Sequence, residues 1–112
     1  MKVGMIRCMQ TEDYCPGTGD FQTVRARAGA FRGEDEVEVA GFINCGGCPG
    51  KKVVLRARSL VAQGADTIAF TSCIQKGTPI GYPCPFAKRM KELVQKEVGE
   101  NIRILDYTHD AQ

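Results

Sequence analysis

Six cysteines and one histidine are the residues of this 112-residue chain best suited to bind a soft metal or carry electrons. Two of the cysteines stand three positions apart in NCGGCPGKK (residues 44–52). Glycines there permit a tight turn, so two thiolates can reach one ion with little strain. The same CxxC spacing serves dithiol redox proteins, in which a helix N-terminus lowers the thiol pKa and the pair cycles through a disulfide. Cys48 before Pro49 and Cys84 before Pro85 are both expected at helix N-termini, where free N–H groups and the helix dipole favour a thiolate. Lys51 and Lys52 read as a solvated face. A low thiol pKa serves either chemistry, so the spacing leaves metal binding and redox exchange both open.

The elements that must position these groups follow from the apolar pattern. KVGMIRC opens the chain as a short buried strand with Val3, Met5 and Ile6, ending at Cys8. After a loop over residues 9–19, Asp20 is expected to cap a helix whose face is Phe21, Val24, Ala28 and Phe31, closed by Gly33. A β-branched stretch, residues 37–44, leads to Cys45 and Cys48, and Pro49 then opens a helix with Val53, Ala57, Leu60 and Val61, stopped near Gly64. Residues 67–72 form a third strand ending at Cys73, and IQKGTPIGYP has the composition of a loop. Cys84 stands before a third helix that starts at Pro85 and carries Phe86, Met90, Leu93, Val94 and Val98, with Gly99 beyond it. NIRILDY is the fourth strand and leads to His109.

Strands alternating with helices predict a single α/β domain over residues 1–112. Its expected form is a three-layer α/β/α sandwich with a four-stranded, mainly parallel sheet in the flavodoxin-like or Rossmann-like order 2-1-3-4. Functional groups of such sheets gather beyond the carboxyl ends of the strands. Cys8, Cys45, Cys48, Cys73 and His109 all fall at that rim, and Cys15 and Cys84 lie in loops leaving it. Neighbouring strands lie about 4.8 Å apart, which makes Cys8 central, with Cys45, Cys48 and Cys73 leaning toward it. These four are the expected inner set of a thiolate site for zinc or an iron–sulfur cluster. His109, on an edge strand, is expected near Cys73 or Cys84. One ion cannot use all seven groups, which points to a cluster, two ions, or structural ligands beside reactive ones.

Other readings fare less well. A lone cysteine at a strand end is ordinarily a small buried hydrophobe, yet six scattered fillers would not all collect at one rim. Cys8 as the nucleophile of a low-molecular-weight phosphatase or arsenate reductase would need an arginine in its loop, and CMQTEDYCPG offers Glu12 and Asp13 instead. Those two carboxylates read as a solvated turn or as hard-oxygen neighbours of the site. A formal net charge of +2 gives no reason to expect nucleic acid or an anionic membrane as partner. The N-terminal stretch suggests neither a signal peptide nor a spanning helix, so a cytoplasmic location is expected, where six cysteines favour metal or catalysis over disulfides.

Several spaced motifs agree in order with one family. IRCMQTEDYC (6–15), CGGCPGKK (45–52), GADTIAFTSCI (64–74), GYPCPF (81–86) and THD (108–110) resemble the CGGC domain proteins, a small prokaryotic family, over nearly the whole chain. The resemblance implies metal binding, with zinc suggested, at Cys8, Cys15, Cys45, Cys48, Cys73, Cys84 and His109, and implies no particular reaction. Tyr107 stands where the family often has glycine before the Thr-His pair.

Overall fold

A computed structural model describes residues 1–77 and 81–109. Four strands, β1 (Lys2–Arg7), β2 (Glu38–Asn44), β3 (Thr67–Phe70) and β4 (Arg103–Leu105), form one sheet in the order β2-β1-β3-β4, every pair parallel. The helices are α1 (Thr18–Ala26), α2 (Val53–Ala62), the short α3 (Ser72–Gln75) and α4 (Ala87–Val98). The expected α/β class and strand order are therefore those observed.

The two faces of the sheet are read directly from alternation along the central strands. Val3 and Met5 of β1 and Ala69 of β3 meet Val24 and Phe31 from the α1 side. Ile6, Ile68 and Phe70 meet Val53, Ala57 and Leu60 of α2 and Met90 and Val94 of α4. The strands β1 and β3 are buried on both faces, which is why they read as near-continuous apolar runs.

Several element boundaries differ from the expectation. Asp20 is not the cap of α1: Gly17 occupies that position, and the Asp20 carboxylate accepts a hydrogen bond from the buried Thr108 hydroxyl instead. The helix also stops early, at Ala26, and Phe31 reaches the core from a separate 3-10 turn (Gly29–Phe31). Gly29, at φ +52°, lies so close to the Thr108 carbonyl that a Cβ would stand 2.2 Å from that oxygen. This approach lets the Ala30 N–H donate to the same carbonyl at 2.9 Å. The helix expected from Pro49 begins only at Val53. Gly50, with φ +86°, sits where a Cβ would be 2.3 Å from the Met90 sulfur, so the chain crosses α4 closely before turning helical. Finally, β3 ends at Phe70 and Ser72–Gln75 form α3, so Cys73 lies in a helical turn rather than at the strand end, and the expected loop gives its first two residues to that helix. The middle of the expected IQKGTPIGYP loop lies outside the described residues.

Candidate metal centre

The carboxyl end of β1 divides by strand alternation. Arg7 and Cys8 are adjacent, and their side chains go to opposite faces: Cys8 packs against the α2/α4 cluster, while Arg7 lies over the ring of Phe42, which belongs to the α1 cluster. Sulfur collects on the first face.

Cys73 is buried, 6% exposed, in the first turn of α3. Its Sγ accepts the Cys8 backbone N–H at 3.3 Å and stands 2.9 Å from the Thr71 hydroxyl. Cys45 is 4% exposed and is tied to β1 by its N–H, which donates to the Arg7 carbonyl at 2.8 Å. Burial pushes the Cys8 thiol above its ordinary value, the Gln10 N–H pulls it back, and the neighbouring Cys73 and Cys45 push it further up. Burial likewise raises Cys84, opposed by the Phe86 N–H, which donates to its sulfur at 3.4 Å; Cys48, Cys45 and Cys73 raise it again. Cys8 and Cys84 therefore each lie within electrostatic reach of Cys45 and Cys73, and Cys84 of Cys48 as well. Cys84 and Cys8 are thus held toward the neutral thiol, opposite to the expected direction for Cys84, because desolvation outweighs the adjoining N–H groups. Cys48 is exposed and precedes Val53, the first residue of α2, by a full turn of non-helical chain.

The loop carrying Cys45 and Cys48 is held by Asn44. Its Oδ1 accepts from the Gly46 N–H and from Arg56, both at 2.7 Å, and its Nδ2 donates to Glu12 at 2.9 Å. Glu12 stands in an exposed turn, as expected, and from there also joins the Cys8 loop to the CGGC loop. All six cysteines are free thiols. Among the described residues, no three Cys, His, Asp or Glu side chains stand together at ligand spacing. The donor set nonetheless suits a soft metal in kind: five thiols on one rim, two of them buried.

The other two sequence candidates are tied to the opposite face, Cys15 by its backbone carbonyl and His109 by its ring. The Cys15 carbonyl accepts a hydrogen bond from the Arg7 guanidinium. His109 has its Nε2 3.8 Å from Asp20 Oδ1, and its backbone N–H and carbonyl are both bound by the Ser72 hydroxyl, at 3.1 and 2.8 Å. Burial raises the Asp20 carboxyl, while Thr108, His109 and Arg7 act to lower it. Arg7, Asp20 and Thr108, all buried, were absent from the sequence candidates. The available signal was a charged residue ending the apolar run VGMI.

The chain matches the CGGC domain over residues 2–109. It belongs to the CGGC domain family. Relatives include Uncharacterized protein MJ0582 of Methanocaldococcus jannaschii, 34% identical over 116 residues, covering 97% of this chain and 87% of the relative. Uncharacterized protein MJ0766 of the same organism is 34% identical over 55 residues, 48% of this chain and 79% of its own length. No solved structure matches. The stretch from which the CGGC family takes its name, residues 45–48, thus runs from the buried Cys45 to the exposed Cys48. Among the described residues, no helix is long and apolar enough to cross a membrane.

Proposed function

We propose that the protein binds a metal through its thiol rim, as zinc or as an iron–sulfur cluster, using Cys8, Cys45, Cys48, Cys73 and Cys84. Cys15 and His109, candidates by sequence, serve the opposite face. The supporting observation is that the thiols acting on Cys8 and Cys84 are other members of the same set. A group of thiols that raises the pKa of its members Cys8 and Cys84 gains most from a cation that takes their protons' place. Zinc would supply folding energy in a closed site or Lewis acidity in an open one, and a cluster would supply electron transfer. The location proposed is the cytoplasm, whose reducing poise keeps such thiols available.

Elemental analysis and a visible spectrum of anaerobically purified protein test this reading. Bound metal near one equivalent per site is expected, colourless for zinc and brown for iron–sulfur. Replacing Cys45 and Cys73 together by Ser should remove it, and Cys15→Ser should not. Metal-free protein with six titratable thiols, after anaerobic reconstitution as well, overturns the proposal.

One observation favours a second reading, thiol–disulfide exchange by Cys45 and Cys48: Cys48 is exposed and so accessible to a disulfide substrate. Under that reading Cys48→Ser abolishes exchange and leaves folding intact. Under the first it lowers metal content.

A further inference from the structure

The α1 face of the same rim holds a buried cation with an unused donor. Arg7 is 7% exposed, and its Nε–H is buried without a hydrogen-bond partner. The guanidinium carbon stands 5.5 Å from the centroid of the Phe42 ring, and one terminal nitrogen donates to the Cys15 carbonyl. The Phe42 ring in turn abuts Gly17, where a Cβ would meet its edge at 2.9 Å. The head group is therefore lodged against residues 15–17, the segment that leads into α1. That nine-residue helix begins at Gly17 without a side-chain cap, so its first-turn amides, those of Thr18, Gly19 and Asp20, have no intrahelical acceptor. The imidazole of His109 lies across Gly19, 3.1 Å from where its Cβ would be. The one carboxylate in the group, Asp20, has its Oδ1 engaged by Thr108 and facing His109. A guanidinium, an imidazole and a helix N-terminus thus surround one carboxylate that is already engaged.

We propose that this end of α1 is a site for a small oxyanion, bound by Arg7 and the first-turn amides of α1, on the opposite side of β1 from the five rim thiols. The ligand chemistry is a carboxylate or phosphate group small enough to enter beside Gly17. Arginine and a helix N-terminus both match such oxygens, and the position lies outside the carboxyl ends of β1 and β3, where the strand order reverses. The site stands independently of metal binding, since none of its residues is among the five thiols. It supplies the arginine that the Cys8 loop itself lacks, although on the far face of the strand from the Cys8 sulfur.

The experiment is a titration of the full metal-free chain with sodium phosphate, and in a second arm sodium acetate, against sodium chloride at equal ionic strength, followed by amide NMR. Saturable shifts at Gly17, Thr18, Gly19 and Asp20 are expected in one oxyanion arm and absent in chloride; the stronger arm identifies a tetrahedral or a planar ligand. Arg7→Lys retains the buried charge but loses the Nε donor, and should weaken binding about tenfold. Asp20→Asn keeps an acceptor for Thr108 while removing the opposing charge, and should tighten it. The proposal is overturned if no saturable shift occurs, if the shifts fall only on the lysine-rich groove of α4 (Lys88, Lys91, Lys96), or if Arg7→Lys binds as well as the wild type.

Discussion

The two faces of one strand end use opposite means of stabilisation. On the α2/α4 side, Cys8, Cys45 and Cys73 are soft and connected by few hydrogen bonds, of which the Cys8 N–H to Cys73 contact is the clearest. On the α1 side, Asp20, Ser72 and Thr108 form a dense hydrogen-bonded group, with Arg7 bound to the Cys15 carbonyl beside it. The first arrangement is the one that, on the function proposed above, an added cation would stabilise. The second is internally satisfied except at one donor, and it holds the chain ends together: Thr108 and His109 beyond β4 are bound to α1 and to α3, 88 residues separating Thr108 from Asp20. The sulfur face is therefore available for chemistry because the polar face carries the structural load.

The largest effect expected from that contrast follows removal of the buried charge. Arg7→Met strips the cation from Asp20 and the donor from the Cys15 carbonyl, and should cost about 3 kcal/mol in denaturant unfolding of the metal-free protein. Thr108→Val comes next, at about 2 kcal/mol, because the Ser72 N–H loses its acceptor and Asp20 its donor in a buried setting. If both cost less than a Cys73→Ala control on the other face, the assignment of structural and reactive faces is reversed.

How much of this was legible in the sequence follows the same division. Periodicity located β1 and β3 because strands buried on both faces have no polar interruptions, and it placed five cysteines at one rim because strand ends are where such runs stop. The division of Arg7 from Cys8 was implicit in the period of two, yet Arg7 was passed over: a charge ending an apolar run reads as exposed unless its partners are known. Those partners, Asp20 and Thr108, are distant in sequence. Asp20 even had a local explanation, as a helix cap, that was consistent with its surroundings and wrong. The CGGC loop was legible in composition but not in shape. Gly50 is required by contact with Met90, forty residues on, and no local pattern signals that contact.

A smaller effect sharpens the contrast through pH. The thiols of Cys8 and Cys84 have folded-state pKa values raised above 9.0, chiefly by burial. A raised acid binds its proton more tightly in the folded chain than in the unfolded one, so the stability it contributes is complete below pH 9.0 and declines as pH climbs toward the folded value. The metal-free protein should accordingly lose thermal stability as the pH rises above 9.0. Metal-loaded protein, whose thiolates are already deprotonated, should show a flatter profile over the same range. Equal slopes with and without metal would mean that Cys8 and Cys84 are not bound by it.

The smallest effect on stability belongs to the most reactive position. Cys48 is the exposed member of the sulfur group, five residues ahead of α2 and outside the core, so Cys48→Ser should change metal-free stability by less than about 0.5 kcal/mol. Its chemical consequences should be far larger. With a thiol reagent under native conditions, Cys48 should react first, and the buried Cys45 and Cys73 only as the fold opens. Bound metal should suppress the fast phase altogether, because a coordinated sulfur is neither free nor nucleophilic toward the reagent. A fast phase that persists in metal-loaded protein would remove Cys48 from the ligand set and leave it as an accessible thiol beside the centre, which is the arrangement that redox exchange requires. Stability and reactivity at this one residue therefore separate the two uses of the CxxC pair that its spacing alone does not distinguish.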